Sequence, residues 1–186
     1  MYFILHFLVI IFLINKKIII NKNIDRKKNF FNPNIVKLNK DQKKASNKIK
    51  KILFKESTPL VLEGVTGSGK TEVFFEAVEA VIRKRKQALI MVPEISLTPQ
   101  LEERFFERFG FHSDVWHSKI SDKKRQSIWH RCYLGEPLIV VGARSSLFLP
   151  FKKLGLIVVD EEHDISYKQE DNIRYQARDL AVVRAQ

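Results

Sequence analysis

From Pro59 onward the chain alternates short, nearly continuous apolar runs with longer amphipathic stretches. Residues 60–62 lead to a helical pattern from Lys70, residues 88–92 to one from Leu97, and Val115-Trp116 to one from Asp122. Two further apolar runs follow at 138–141 and 156–159. Runs without polar alternation are what parallel strands covered on both faces require. Their alternation with helices at this spacing predicts an α/β domain with a parallel sheet flanked by helices. Ahead of it, Ala45, Ile49, Ile52 and Leu53 keep helical spacing over residues 43–54, with Asn39 placed to cap the start.

Residues 1–14 are apolar except for His6, and Asn15-Lys16-Lys17 ends the run. A spanning helix needs about 20 such residues, and the basic start and small-residue cleavage site of a signal peptide are missing. The stretch is therefore expected to be an extension or a buried element, not a membrane anchor. The divisions that follow are an apolar extension over 1–20, a basic linker and helix over 21–57, and the α/β unit over 58–186.

Charge sharpens this division. The net charge is +12, yet residues 1–57 hold 14 Lys/Arg against 3 Asp/Glu while residues 58–186 hold 19 against 18. A basic segment attracts phosphate backbones, but this one is rich in Asn, Ile and Phe, a composition that codon bias also produces. The one cysteine, Cys132, excludes an internal disulfide and a cysteine-built zinc site. A reducing, cytoplasmic setting is expected.

Gly64-Val65-Thr66-Gly67-Ser68-Gly69-Lys70-Thr71 matches G-x-x-x-x-G-K-[ST] in full, between an expected strand and an expected helix. Glycine-rich turns aim backbone N–H groups inward as a nest for a polyphosphate, and the helix N-terminus adds free donors and its dipole. Lys70 is expected to reach the β- and γ-phosphates and Thr71 to place its hydroxyl on Mg²⁺. Alone, the loop implies a bound nucleoside triphosphate and no particular reaction.

Residues 156–159 end in Asp160-Glu161-Glu162-His163. In open α/β sheets the carboxyl ends of the strands line the ligand crevice. Asp160 is placed to hold Mg²⁺, and Glu161 to orient and deprotonate an attacking water. Asp-Glu-x-His resembles the acidic motif of superfamily 2 helicases, which implies a role for His163 in coupling the nucleotide site to the nucleic-acid path.

Further stretches then resemble one family, the PriA replication-restart helicases, in order over about residues 38–186. They are Val92-Pro93-Glu94-Ile95-Ser96-Leu97-Thr98-Pro99-Gln100; Trp116-His117-Ser118 with Ser121, Arg125 and Trp129; Val141-Gly142-Ala143-Arg144-Ser145-Ser146-Leu147-Phe148; and Ser166-Tyr167-Lys168-Gln169 with Arg174-Tyr175. Ala143 and Gln176 depart from the usual threonine and histidine. The resemblance implies a P-loop NTPase fold, the first RecA-like helicase lobe, incomplete at its C-terminus. It implies ATP and Mg²⁺ as ligands and 3′→5′ movement on single-stranded or forked DNA. Other primosome proteins are implied as partners.

The resemblance also implies that Gln42 reads the adenine edge. Pro93, Glu94, Ser96, Thr98, His117, Arg144, Ser145, Tyr167, Lys168 and Arg174 become the DNA-contact candidates, which agrees with their backbone-gripping and stacking chemistry. In that family an arginine from a second lobe assists hydrolysis, so this chain alone is expected to bind Mg-ATP weakly and turn it over slowly. Another superfamily 2 DNA translocase, or a nucleotide-binding chain without motor activity, stays open on the residues alone.

Overall fold

The computed structural model describes residues 6–13 (as backbone), 33–34, 36–55, 59–65, 67–93, 96–171 and 173–186. Most of the basic linker lies outside these residues. Strands β1 (His6–Leu13), β2 (Pro59–Val65), β3 (Gln87–Met91), β4 (Asp114–Trp116), β5 (Ile139–Gly142) and β6 (Leu154–Val159) form one sheet in the order β2-β1-β6-β3-β5-β4. Helices α1 (Lys40–Ile52), α2 (Lys70–Arg83), α3 (Pro99–Phe109), α4 (Asp122–Leu134) and α5 (Ala177–Ala185) flank it. A small hairpin of β7 (Lys168–Gln169) and β8 (Tyr175–Gln176) precedes α5.

The apolar runs became strands because both faces of the sheet are covered. Ala88, Ile90, Val141, Leu156 and Val158 belong to a core with Phe74, Phe75, Phe105 and Phe109 of α2 and α3. Leu89, Met91, Val140, Ile157 and Val159 belong to a second core with Ile128 and Cys132 of α4 and with α5. Alternate residues thus feed opposite layers, as the strand period of two requires. Burial pushes the Cys132 thiol up to about 12, so it packs as a protonated side chain.

The helix limits follow local chemistry. Asn39 and Gln42 form a capping box at α1. Thr98 caps α3, with Pro99 in its first turn and Gly110 ending it at φ +73°. Ser121 and Gly135 bracket α4 in the same way.

The parallel sheet is as expected for β3 to β6, but β1 was not foreseen. Read from sequence as an extension or a buried element outside the α/β unit, residues 6–13 form a strand inside the same sheet. They are antiparallel to both β2 and β6, with Ile10 opposite Val61 on one side and Val159 on the other. Among the described residues no helix is long and apolar enough to cross a membrane.

Arg108 on α3 is 4% exposed and pairs with Glu76 at 2.6 Å and Glu79 at 2.8 Å on α2. Breaking a buried pair by removing one partner costs about 3–5 kcal/mol. Glu76 keeps Lys50 at 2.5 Å, which softens the loss. Arg108→Met is therefore expected to lower stability by about 2–3 kcal/mol, read as a fall in the urea midpoint at unchanged slope.

Candidate nucleotide site

The phosphate loop joins β2 to α2 as its sequence demands. Gly67 and Gly69 sit at φ +76° and +78°, a region closed to most side chains. Gly69 is the N-cap of α2 and makes no side-chain cap bond, so the first N–H groups of the helix are not taken by a capping side chain. At Gly64 an added Cβ would stand 2.7 Å from Ser68 Oγ. That hydroxyl is buried without a hydrogen-bond partner, a cost that a phosphate or its hydration shell would remove. Lys70 Nζ donates to the carbonyls of Gly64 at 2.7 Å and Val65 at 3.0 Å, which places the cation against the loop.

Across from it, β6 delivers the acids. Asp160 N–H extends the ladder by donating to Met91 O at 2.9 Å, and the Tyr167 hydroxyl donates to Asp160 O at 2.6 Å. The backbone at Asp160 is thus held from two sides. Its carboxylate accepts from Glu161 N–H at 3.0 Å. Burial pushes the Asp160 carboxyl above the usual carboxylate range, opposed by that hydrogen bond and by the charge of Lys70. Glu161 adopts φ +48°, a left-handed backbone uncommon for a non-glycine residue and frequent where a side chain must be presented.

Gly67, Gly69, Lys70, Thr71, Arg104, Asp160 and Glu161 line one cleft of about 420 Å³. It is polar, with two cations and two carboxylates facing the same space. The set fits a hydrated divalent ion carried on a triphosphate: a threonine hydroxyl, a carboxylate, and lysine and loop N–H donors for the phosphate oxygens. Among the described residues there is no cluster of three or more His, Cys, Asp or Glu side chains placed to hold a metal by themselves. Mg²⁺, which prefers one or two carboxylates plus substrate phosphates, does not need one.

Arg104 escaped the sequence reading. It stands on the polar face of α3, 3.3 Å from Glu72, and looks in sequence like any solvated arginine of an amphipathic helix. Gln42 lies against the loop: its Nε2 donates to Ser68 O at 2.9 Å, while its Oε1 accepts from Asn39 N–H at 2.9 Å. Thr66 and Glu94 lie outside the described residues.

The DNA-contact candidates divide. Ser96, His117 and Ser145 follow the carboxyl ends of β3, β4 and β5, on the same edge of the sheet as the acidic tip of β6. Lys168 and Arg174 are exposed on the β7–β8 hairpin, and His163 is exposed after the acidic tip. Others have structural work. Pro93 is buried, and Thr98 spends its oxygen on the cap of α3. Arg144 Nη1 donates to the carbonyls of Ser166 at 3.1 Å and Lys168 at 2.7 Å, so its fork ties the hairpin to β5. Tyr167 corrects the sequence reading: expected to stack bases, it is fully buried and buttresses Asp160 from behind.

Comparison with known proteins agrees with this geometry. The chain is 49% identical to the replication restart protein PriA of Rickettsia felis over 147 residues, covering 79% of this chain and 22% of that protein. It is 52% identical to PriA of Haemophilus influenzae over 126 residues, 68% of this chain and 17% of that one. With PriA of Bacillus subtilis the identity is 45% over 150 residues, 80% and 19%. The chain thus spans about a fifth of the length of these curated relatives. The DEAD/DEAH box helicase description matches residues 39–186, a stretch that starts at the cap of α1 and contains both the phosphate loop and the acidic tip, and the chain belongs to that family.

Proposed function

We propose that this chain is the ATP-binding lobe of a DNA motor of the PriA type, acting 3′→5′ on single-stranded or forked DNA in replication restart. One observation carries the reading. Lys70 and Thr71 from the head of α2 line the same cleft as Asp160 and Glu161 from the tip of β6.

In this reading the N–H groups of residues 64–69 and the Lys70 ammonium hold the β- and γ-phosphates. The Thr71 hydroxyl and the Asp160 carboxylate hold Mg²⁺, which when bound neutralises charge on the phosphate oxygens. Glu161 orients the attacking water and accepts its proton. Arg104 adds a second cation at the phosphate end, and Gln42 lies within reach of a base stacked beside the loop. His163 and the hairpin after it pass the state of the cleft to the DNA path. Ser96, His117, Ser145, Lys168 and Arg174 grip the strand. Primosome proteins are its proposed partners and the cytoplasm its setting.

The test is single-turnover ATP hydrolysis with and without single-stranded DNA. Hydrolysis by this chain is expected to be slow, to rise with DNA and to fall about 10²–10⁴-fold further in Glu161→Gln, the usual contribution of a positioned general base, while Mg-ATP binding is kept. Hydrolysis indifferent to DNA, or indifferent to Glu161→Gln, would overturn the reading.

A further inference from the structure

Helix α4 turns Ile128 and Cys132 into the core. One position further round, Trp129 and Tyr133 stand 47% and 56% exposed. Four residues apart, they are neighbours on the helix surface, and their rings lie 5.5 Å apart at 12°, a parallel stack. A turn earlier, the Arg125 guanidinium lies 5.1 Å over the ring of Trp116 and donates to Ser118 O at 3.3 Å. Trp116 Nε1 in turn donates to Ser145 Oγ at 3.2 Å. An open groove of about 610 Å³ runs between Trp116, Lys123, Arg125, Gln126, Trp129 and His130.

Two large aromatic rings left in water on a helix that already has a core face need another reason to be there. The groups around them select the partner. Lys123, Arg125 and His130 line the groove with Trp129, while Asp122 is the one acid of the helix. That is the composition of a surface for unpaired bases on a phosphate backbone: flat rings that accept any base, and cations for the phosphates. An apolar protein partner would instead favour a face depleted of lysine. The groove is also continuous, through Trp116 and Ser145, with the loops at the carboxyl edge of β4 and β5.

We infer that Trp129 and Tyr133 form a base-stacking platform for single-stranded DNA, with Lys123 and Arg125 on its backbone, lengthening the DNA track past the motif loops along the outer face of α4. The inference rests on the DNA reading above and adds to it a surface outside the nucleotide cleft. Arg125 and Trp129 entered the sequence reading only as part of a resembling segment, without a role.

The full chain titrated with a thymidine 20-mer tests it. Trp116 and Trp129 are its two tryptophans, and Trp116 is 8% exposed, so stacking reports through Trp129. The oligomer is expected to quench tryptophan fluorescence, and an abasic strand of equal charge is not. Trp129→Ala is expected to bind the thymidine strand about five- to 150-fold more weakly, the range for one lost stacking contact. Trp129→Phe is expected to bind within about twofold, because a ring suffices. Lys123→Ala is expected to reduce the salt slope by about 0.7, the value for one phosphate contact on a single strand. A thermal melt of each variant controls for folding. Unchanged affinity in Trp129→Ala, or equal quenching by the abasic strand, overturns the platform and leaves the DNA reading standing. Absence of any single-strand affinity in the wild type overturns both.

Discussion

Lys70→Ala is expected to weaken Mg-ATP binding about 10- to 100-fold with little loss of fold stability. A charge-assisted hydrogen bond contributes about 1.5–3 kcal/mol, and every 1.4 kcal/mol is tenfold in affinity. Lys70 brings such bonds to the cleft, and its charge also lowers the proton affinity of Asp160. Without the ammonium, the buried carboxyl of Asp160 keeps its proton to still higher pH. The variant is therefore expected to lose metal-dependent binding at a higher pH than wild type as the solution is acidified.

The lysine also donates to the carbonyls of Gly64 and Val65, so alanine loosens the loop that carries the N–H donors. Thr71→Ala separates the two effects. It leaves those bonds in place, and binding is expected to become nearly indifferent to Mg²⁺. Calorimetric titration of ATP with and without EDTA reads both variants. Equal ATP affinity in wild type and Lys70→Ala would remove the phosphate loop from the site, and with it the proposed motor.

Much of this was legible because some residues announce their geometry. Gly67 and Gly69 are glycine where φ is positive, and Lys70 and Thr71 follow at the head of a helix. The residues 88–92, 138–141 and 156–159 are apolar throughout because both faces of the strands are covered. What stayed hidden depends on contacts far apart in sequence. Tyr167 between a serine and a lysine reads as exposed, and only the packing beneath β6 puts its hydroxyl on the Asp160 carbonyl. Arg104 becomes a cleft residue because α3 lies over the head of α2, which its own periodicity does not encode. Arg144 offers five donors in any context, and the fold spends one nitrogen on two carbonyls 22 and 24 residues away. The order of strands was equally hidden. An apolar run such as residues 7–13 favours a place inside the fold, but does not state between which strands.

That position gives the second large expected effect. β1 lies between the strand that leads into the phosphate loop and the strand that ends in the acids, so the spacing of the cleft runs through its backbone. Proline removes a ladder N–H and its ring clashes with neighbouring backbone, which confines it to edge strands and bulges. Successive residues of an antiparallel strand direct their N–H groups to opposite neighbours. Ile10 lies opposite Val61 and Val159, and Ile11 opposite Leu60 and Val158. Ile10→Pro and Ile11→Pro therefore break bonds to different partners, one to β2 and the other to β6. Each leaves a carbonyl of the neighbouring strand unpaired and is expected to cost about 1–3 kcal/mol, a fall in Tm of about 2–12 °C for a chain of this size, with a parallel loss of Mg-ATP affinity because the two walls of the cleft are no longer held at a fixed distance. Thermal melts and ATP titration of the pair separate the possible positions of the strand. Loss at both residues fits a strand paired on two sides, loss at only one would make β1 an edge strand, and tolerance at both would mean that β2 and β6 are held together by other means.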